Sequence, residues 1–185
     1  MKAGVLALQG DVREHAAVLA ELGASPVEVR TPEDLDRVDV LVIPGGESTT
    51  IGKLARSANL VGPVVERARA GMPILGTCAG MIVLAARVEG GEPLFGVLDA
   101  TVRRNAYGRQ VDSFEADVEV EGIDHPVRAV FIRAPIVEQV GPGVRVLATH
   151  EGHPVVLEQG NLVAAAFHPE LVGETRLHEY VLGKG

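Results

Sequence analysis

A chain of 185 residues with 46% hydrophobic residues is long enough for one domain with a substantial core and too apolar for disorder to be its main state. Its formal charge of -8 and isoelectric point near 5.2 leave no basic footprint for nucleic acid or an anionic membrane, and aromatics at 3% with no tryptophan exclude a base-stacking platform. Cys78, the single cysteine, excludes an internal disulfide and any multi-cysteine metal site; with no bilayer-length apolar stretch and no signal-peptide pattern at Met1–Val5, a free thiol leads to the expectation of a cytoplasmic protein.

Gly4-Val5-Leu6-Ala7-Leu8 is an unbroken apolar run of strand length, as in a parallel sheet buried on both faces. Gln9-Gly10-Asp11 opens a helix in which Val12, His15, Val18, Leu19 and Leu22 share one face, making His15 a packing position, and Gly23 is a C′ residue. Val27–Val29 is a second strand. Thr31-Pro32-Glu33-Asp34 then reads as an N-cap, a proline at the first helical position and acids in the first turn. Val38–Ile43 is a third strand, ending in Pro44-Gly45-Gly46-Glu47-Ser48-Thr49-Thr50, with a helix starting near Ser48 or Thr49. Pro63 opens another helix, which Gly71 closes. Strands alternating with helices at this spacing predict a doubly wound α/β sheet, whose ligands bind beyond the carboxyl ends of the strands.

Pro73–Leu84 carries the strongest local signal. A short apolar run leads through Gly76-Thr77-Cys78-Ala79-Gly80 into an apolar run of helical spacing, which is the G-x-S-x-G nucleophile elbow with sulfur in place of oxygen. The glycines relieve the crowding where a strand turns abruptly into a helix, and the helix N-terminus favours the thiolate. An isolated cysteine is otherwise a small buried hydrophobe; the flanking glycines decide against that here. A glycine amide from Gly45-Gly46, paired with that of Ala79, would supply an oxyanion hole.

Beyond the loop Glu89–Pro93 the texture becomes strand-rich and partly antiparallel, with runs at Ala100–Arg103, Ala116–Val120, Ala129–Ile132 and Val144–Leu147. Gln159-Gly160-Asn161 between Pro154–Glu158 and Leu162–Phe167 is a hairpin signal. The second of these strands delivers His168, and Glu170 follows two residues on, facing the same way in extended chain; Cys78, His168 and Glu170 then read as nucleophile, base and orienter. His150-Glu151-Gly152-His153 lacks the H-E-x-x-H spacing and reads as a solvated turn. Arg104 and Arg133, near strand ends, are ordinary surface charges unless the fold brings them to the pocket. No linker or repeat divides the chain, so residues 1–185 are expected to be one domain.

With these motifs in hand the sequence resembles the class I, triad-type glutamine amidotransferases, and within them the family of glutaminase subunits of pyridoxal 5′-phosphate synthase. The blocks Gly4–His15, Pro44–Thr50, Arg104–Glu115 and Phe131–Pro135 carry the closer likeness, from end to end of the chain. The resemblance implies a three-layer, flavodoxin-like α/β fold with a mostly parallel central sheet and flanking helices. It implies hydrolysis of L-glutamine without cofactor or metal, the ammonia passing to a barrel-fold synthase subunit in a large hetero-oligomer. Carried over by position, Gly46, Glu47, Ser48, Arg104, Ile132 and Arg133 bind glutamine, and the amides of Gly46 and Ala79 hold the oxyanion. The resemblance also implies activation by the partner, and the Gln9-Gly10 turn, beside the same rim of the sheet, is the expected route of that coupling. A glutaminase of another pathway, a catalytically silent subunit and an unrelated cysteine hydrolase on a similar sheet are the competing readings.

Overall fold

The computed structural model describes residues 1–104 and 113–185. In its first half β1 (Lys2–Leu6), α1 (Val12–Glu21), β2 (Ser25–Val29), α2 (Pro32–Leu35), β3 (Val40–Ile43), α3 (Ser48–Ser57), α4 (Val61–Arg69), β4 (Ile74–Thr77) and α5 (Ala79–Leu84) follow one another. The second half holds β5 (Ala85–Glu89), β6 (Leu98–Arg103), β7 (Phe114–Val118), β8 (Val127–Phe131), β9 (Ile136–Val140), β10 (Arg145–His150), β11 (His153–Gln159), β12 (Leu162–Ala165), a 3₁₀ turn at Glu170–Val172 and α6 (Arg176–Leu182).

Seven strands form the central sheet in the order β10-β11-β12-β4-β3-β1-β2. From β12 to β2 all neighbours are parallel, while β10 and β11 extend the sheet antiparallel. The mixed, mostly parallel sheet with flanking helices is the expected α/β class. Parallel strands covered on both faces need side chains that are apolar without alternation. β3 and β12 meet that need at every position, and Leu41, Ile43, Ile74, Leu75 and Phe167 are fully buried in the core. Two smaller sheets, β5-β6-β9 and β7-β8, account for the strand-rich texture of the second half.

Local signals fared well where the chemistry is local. Thr31 forms a full capping box with Asp34, with Pro32 at the first helical turn. Gly23 and Gly71 close α1 and α4 at φ +78° and +97°, as a left-handed C′ residue does. The β11–β12 hairpin pairs Gln159 with Leu162 around Gly160-Asn161. The turn expected at His150–His153 is narrower than read: only Glu151-Gly152 turn, His150 ends β10 and His153 begins β11, and His150 is half-buried, stacked on Phe114 and Phe131 rather than solvated.

Four expectations are corrected. α4 begins at Val61, two residues before Pro63, because a proline anywhere in a first turn forfeits no intrahelical bond. The elbow helix stops at Leu84, as its apolar run does, and Ala85–Glu89, for which no strand was foreseen, is a strand paired with β6. β9 lies in a stretch where no strand was foreseen. β12 ends at Ala165, two residues before the expected end at Phe167, so His168 stands three residues past the strand rather than immediately after it.

Candidate active site

β4 and β12 are parallel neighbours with Thr77 opposite Ala165, so the residues that follow them emerge together at one rim of the sheet. Cys78 is tied to that neighbour by its own N–H, which donates to the Ala165 carbonyl at 2.8 Å. Its backbone lies at φ +48°, ψ -104°, a conformation that a residue with a Cβ adopts only when the surroundings impose it. The surroundings do so through the two glycines. A Cβ at Gly76 would strike Leu84 and the Gly80 backbone, and one at Gly80 would strike the Ile43 carbonyl of β3. The elbow is thus wedged between two strands, and the spacing read in the sequence has its steric reason. The following helix has only six residues. Ala79, at its first position, has an N–H with no intrahelical acceptor.

His168 is anchored by its own N–H to the Val130 carbonyl at 2.8 Å. Its Nδ1 lies 2.8 Å from Glu170 Oε1, so the predicted pair is formed, but not in extended chain. Pro169 sits in the right-handed helical region at φ -70°, ψ -31°, and Glu170 begins a 3₁₀ turn that folds the carboxylate back onto the ring. A second carboxylate, Asp11 Oδ2, lies 3.2 Å from the same Nδ1. The three groups have a spacing that a cation could also bridge. Yet these distances also suit an imidazolium among carboxylates: Nδ1 is hydrogen-bonded to Glu170, and Asp11 stands beside the ring as an ion pair. Burial pulls the His168 pKa down, but its interactions with Asp11, Cys78 and Glu170 outweigh it and push the pKa up to about 12. His168 is therefore an imidazolium beside the thiol. Burial raises the pKa of Glu170, against the pull of His168.

Behind Glu170 lies a polar group that the helical spacing of α1 did not disclose. His15 is fully buried, as its face predicts, but both its ring nitrogens are engaged. Nδ1 is 2.8 Å from His178 Nε2 of α6, and Nε2 is 3.0 Å from Thr77 Oγ1 and 3.5 Å from Glu170 Oε1. Burial, with His178 and His168 nearby, holds the His15 pKa well below its usual value, and burial brings that of His178 to about 4. Both rings are neutral. The tautomer that turns a donor toward Glu170 carries the His15 proton on Nε2 and accepts from His178 Nε2–H.

Cys78, Ala79, His168 and Asp11 line a cavity of about 280 Å³. Gly46, Glu47 and Ser48 close one side of it, and Arg104, Ile132 and Arg133 another. Every residue that the resemblance assigned to glutamine is therefore brought to one place. Cys78 Sγ lies 3.7 Å from the Ile132 carbonyl. Arg133 has φ +46°, is exposed, and makes no hydrogen bond among the described residues. Arg104 reaches Glu47 Oε1 at 3.2 Å. The Glu47 carboxylate is otherwise committed to capping α3, accepting from the N–H groups of Thr49 and Thr50 and from Thr50 Oγ1, and these bonds, led by Thr50, lower its pKa to about 2. Of the block Arg104–Glu115, residues 105–112 lie outside the described residues.

Gln9 and Gly10 do not line this cavity but lie under its Gly-Gly loop. Gln9 Oε1 accepts from the Glu47 N–H, the Asp11 N–H donates to the Gly45 carbonyl at 3.2 Å, and a Cβ at Gly10 would overlap that carbonyl. Asp11 itself was missed as a site residue, having been read as part of a helix opening. Its signal was its place, on the same turn at the carboxyl end of β1.

On a sheet of this topology, a strained elbow cysteine, an imidazolium and a backing carboxylate are the parts of a thiol-dependent acyl-transfer enzyme. The chain belongs to the SNO glutamine amidotransferase family, whose model matches residues 5–184. A relative from Mycolicibacterium vanbaalenii, named pyridoxal 5′-phosphate synthase subunit PdxT, is 59% identical over 181 residues, covering 95% of this chain and 93% of its own length. One of the same name from Mycobacteroides abscessus is 56% identical over 179 residues, with the same coverage of 95% and 93%. A solved glutamine amidotransferase is 50% identical, with a TM-score of 0.93 over 98% of this chain and 97% of that one. PurLQS of Thermotoga maritima, at 18% identity and a TM-score of 0.78 over 98% and 97% of the two chains, shares the fold.

Proposed function

We propose that this chain is the glutaminase subunit of a pyridoxal 5′-phosphate synthase, hydrolysing L-glutamine to glutamate and handing the ammonia to a synthase subunit. The observation that carries the chemistry is the elbow geometry of Cys78 beside a His168 held as imidazolium by carboxylates. The pathway rests on near full-length identity to relatives of that name.

In this reading the Cys78 thiolate adds to the side-chain carboxamide carbon of glutamine, and the amides of Gly46 and Ala79 receive the developing oxyanion. His168 gives its Nε2 proton to the departing nitrogen, leaving a thioester and free ammonia. A water then attacks the thioester carbon while His168 takes its proton, and glutamate leaves with the thiolate restored. Glu170 holds the ring in place throughout. Arg133, with no partner of its own among the described residues, faces the cavity as a clamp for the α-carboxylate, and Arg104 serves the same end of the ligand. No cofactor or metal enters these steps.

The whole chain, residues 1–185, acts as one domain. Its partner is a barrel-fold synthase subunit in a large hetero-oligomer, and the free thiol suits the cytoplasm. No helix among the described residues is long and apolar enough to cross a membrane. The test is release of glutamate and ammonia from glutamine, with and without the synthase subunit, using Cys78→Ala as control. No thiol-dependent glutamine turnover in either condition overturns the assignment.

A further inference from the structure

His168 Nδ1 has two carboxylates within hydrogen-bonding reach, although a nucleophile, base and orienter require only one. Asp11 stands at the N-cap of α1, where an aspartate ordinarily accepts from the N–H of the second or third helical residue. Here its side chain makes no such bond. It turns toward the ring instead, partly open to the cavity that holds Cys78. The two carboxylates differ in kind. Glu170 is fully buried, one of its oxygens has no partner among the described residues, and burial favours its neutral form. The side chain of Asp11 keeps 31% of its surface exposed, open to the cavity and to water.

We propose that Asp11 is a second positioning carboxylate for His168, set against the Nδ1 side of the ring as an ion pair while Glu170 takes the Nδ1 hydrogen bond, and keeping the ring an imidazolium. The inference rests on the reading of Cys78 and His168 as nucleophile and base. It also gives the turn that Asp11 belongs to a double hold on the site. The Asp11 N–H binds the Gly45 carbonyl, Gln9 binds the Glu47 amide, and Gly45 itself lies so close to the ring that a Cβ there would strike His168 Cε1. A partner that shifts this turn changes the oxyanion loop and the charge of the base together.

The titratable and charged groups around His168 are Asp11 and Glu170 at Nδ1, Cys78 beside the ring and His15 behind Glu170. Glu47, Arg104 and Arg133 stand on the walls of the same cavity. Asp11 is the one carboxylate at Nδ1 that can be changed without opening the buried group beneath.

Cys78 is the only cysteine, so alkylation reports on a single site and needs no glutamine. Iodoacetate is drawn to the imidazolium, and its reaction with the thiolate falls away as His168 loses its charge. The alkylation rate against pH is to be compared for wild type, Asp11→Asn, which is isosteric, and Asp11→Ser, which preserves an N-cap residue. Circular dichroism at each pH confirms the fold. An opposite charge at this range raises a base by ~1–3 units, so the alkaline fall is expected at least about one pH unit earlier in a folded variant. Profiles that superimpose on the wild type, in whichever variant folds, overturn the role of Asp11. That result leaves the glutaminase reading standing, because glutamine turnover by the wild type is measured separately.

Discussion

Gln9 Oε1 accepts a hydrogen bond from the Glu47 N–H at 2.7 Å, joining the turn after β1 to the loop after β3. The same oxygen would collide with a Cβ at Gly46, so the side chain of Gln9 and the backbone proposed to supply an oxyanion donor are packed against each other. A peptide between two glycines reorients at little steric cost, and its neighbour decides which way it faces. The chain alone is therefore expected to be a poor glutaminase that gains kcat when a synthase subunit presses on this turn, with Gln9→Ala activated much less. Full turnover by the isolated wild type would remove the gating idea. Equal activation of Gln9→Ala would remove only Gln9 as its route.

Cys78→Ala is expected to abolish glutamine hydrolysis and leave the far-ultraviolet circular dichroism unchanged, because it deletes the nucleophile and little packing. Residual activity within tenfold of wild type, a barrier change of only about 1.4 kcal/mol, would contradict its role. His168→Asn should be nearly as damaging. Glu170→Gln should cost less, since the orienter does not touch the substrate and Asp11 still faces the ring.

Arg133→Ala is expected to raise KM for glutamine with a smaller effect on kcat. A charge-assisted hydrogen bond to a carboxylate contributes roughly 1.5–3 kcal/mol, about a ten- to hundredfold change. An unchanged KM in a folded variant would make Arg133 a structural residue of its left-handed bend.

The His15–His178 pair predicts an acid-side loss of stability. His178 has a folded pKa of about 4 against an ordinary value of 6.5, so the unfolded chain binds more protons between those limits. Its contribution is fully present above pH ~6.5 and is lost as pH falls toward 4, about 3 kcal/mol in all; His15 shifts in the same direction. Urea titrations from pH 7.5 to 4.5 should show falling stability in the wild type and a flatter dependence in His178→Gln. Parallel curves would mean that the pair does not titrate on unfolding.

Features that depend on neighbours in the chain were legible before any fold was known. Gly76, Cys78 and Gly80 spell a strand-to-helix elbow because the crowding they relieve is within a few residues. Thr31–Asp34 and Gln159–Leu162 spell a cap and a hairpin for the same reason. His168 and Glu170 were paired correctly from their spacing, yet the contact is made through a 3₁₀ turn that the Pro169 backbone permits, a choice that packing settles. Ala85–Glu89 carries two charged residues and is mostly half-buried or exposed, so no apolar run marked it, and it became β5 only through pairing with β6. Local spacing marked His15 as inward-facing but was silent about its partner, 163 residues away on α6. Asp11 likewise reaches His168 only because the sheet order places β1 near β4 and β12, with their carboxyl ends at one rim. Sequence spacing marked Cys78 as the candidate nucleophile and set its turn, whereas the surroundings of His168 beyond Glu170, Asp11 above all, come from parts of the chain that only the tertiary fold brings to it.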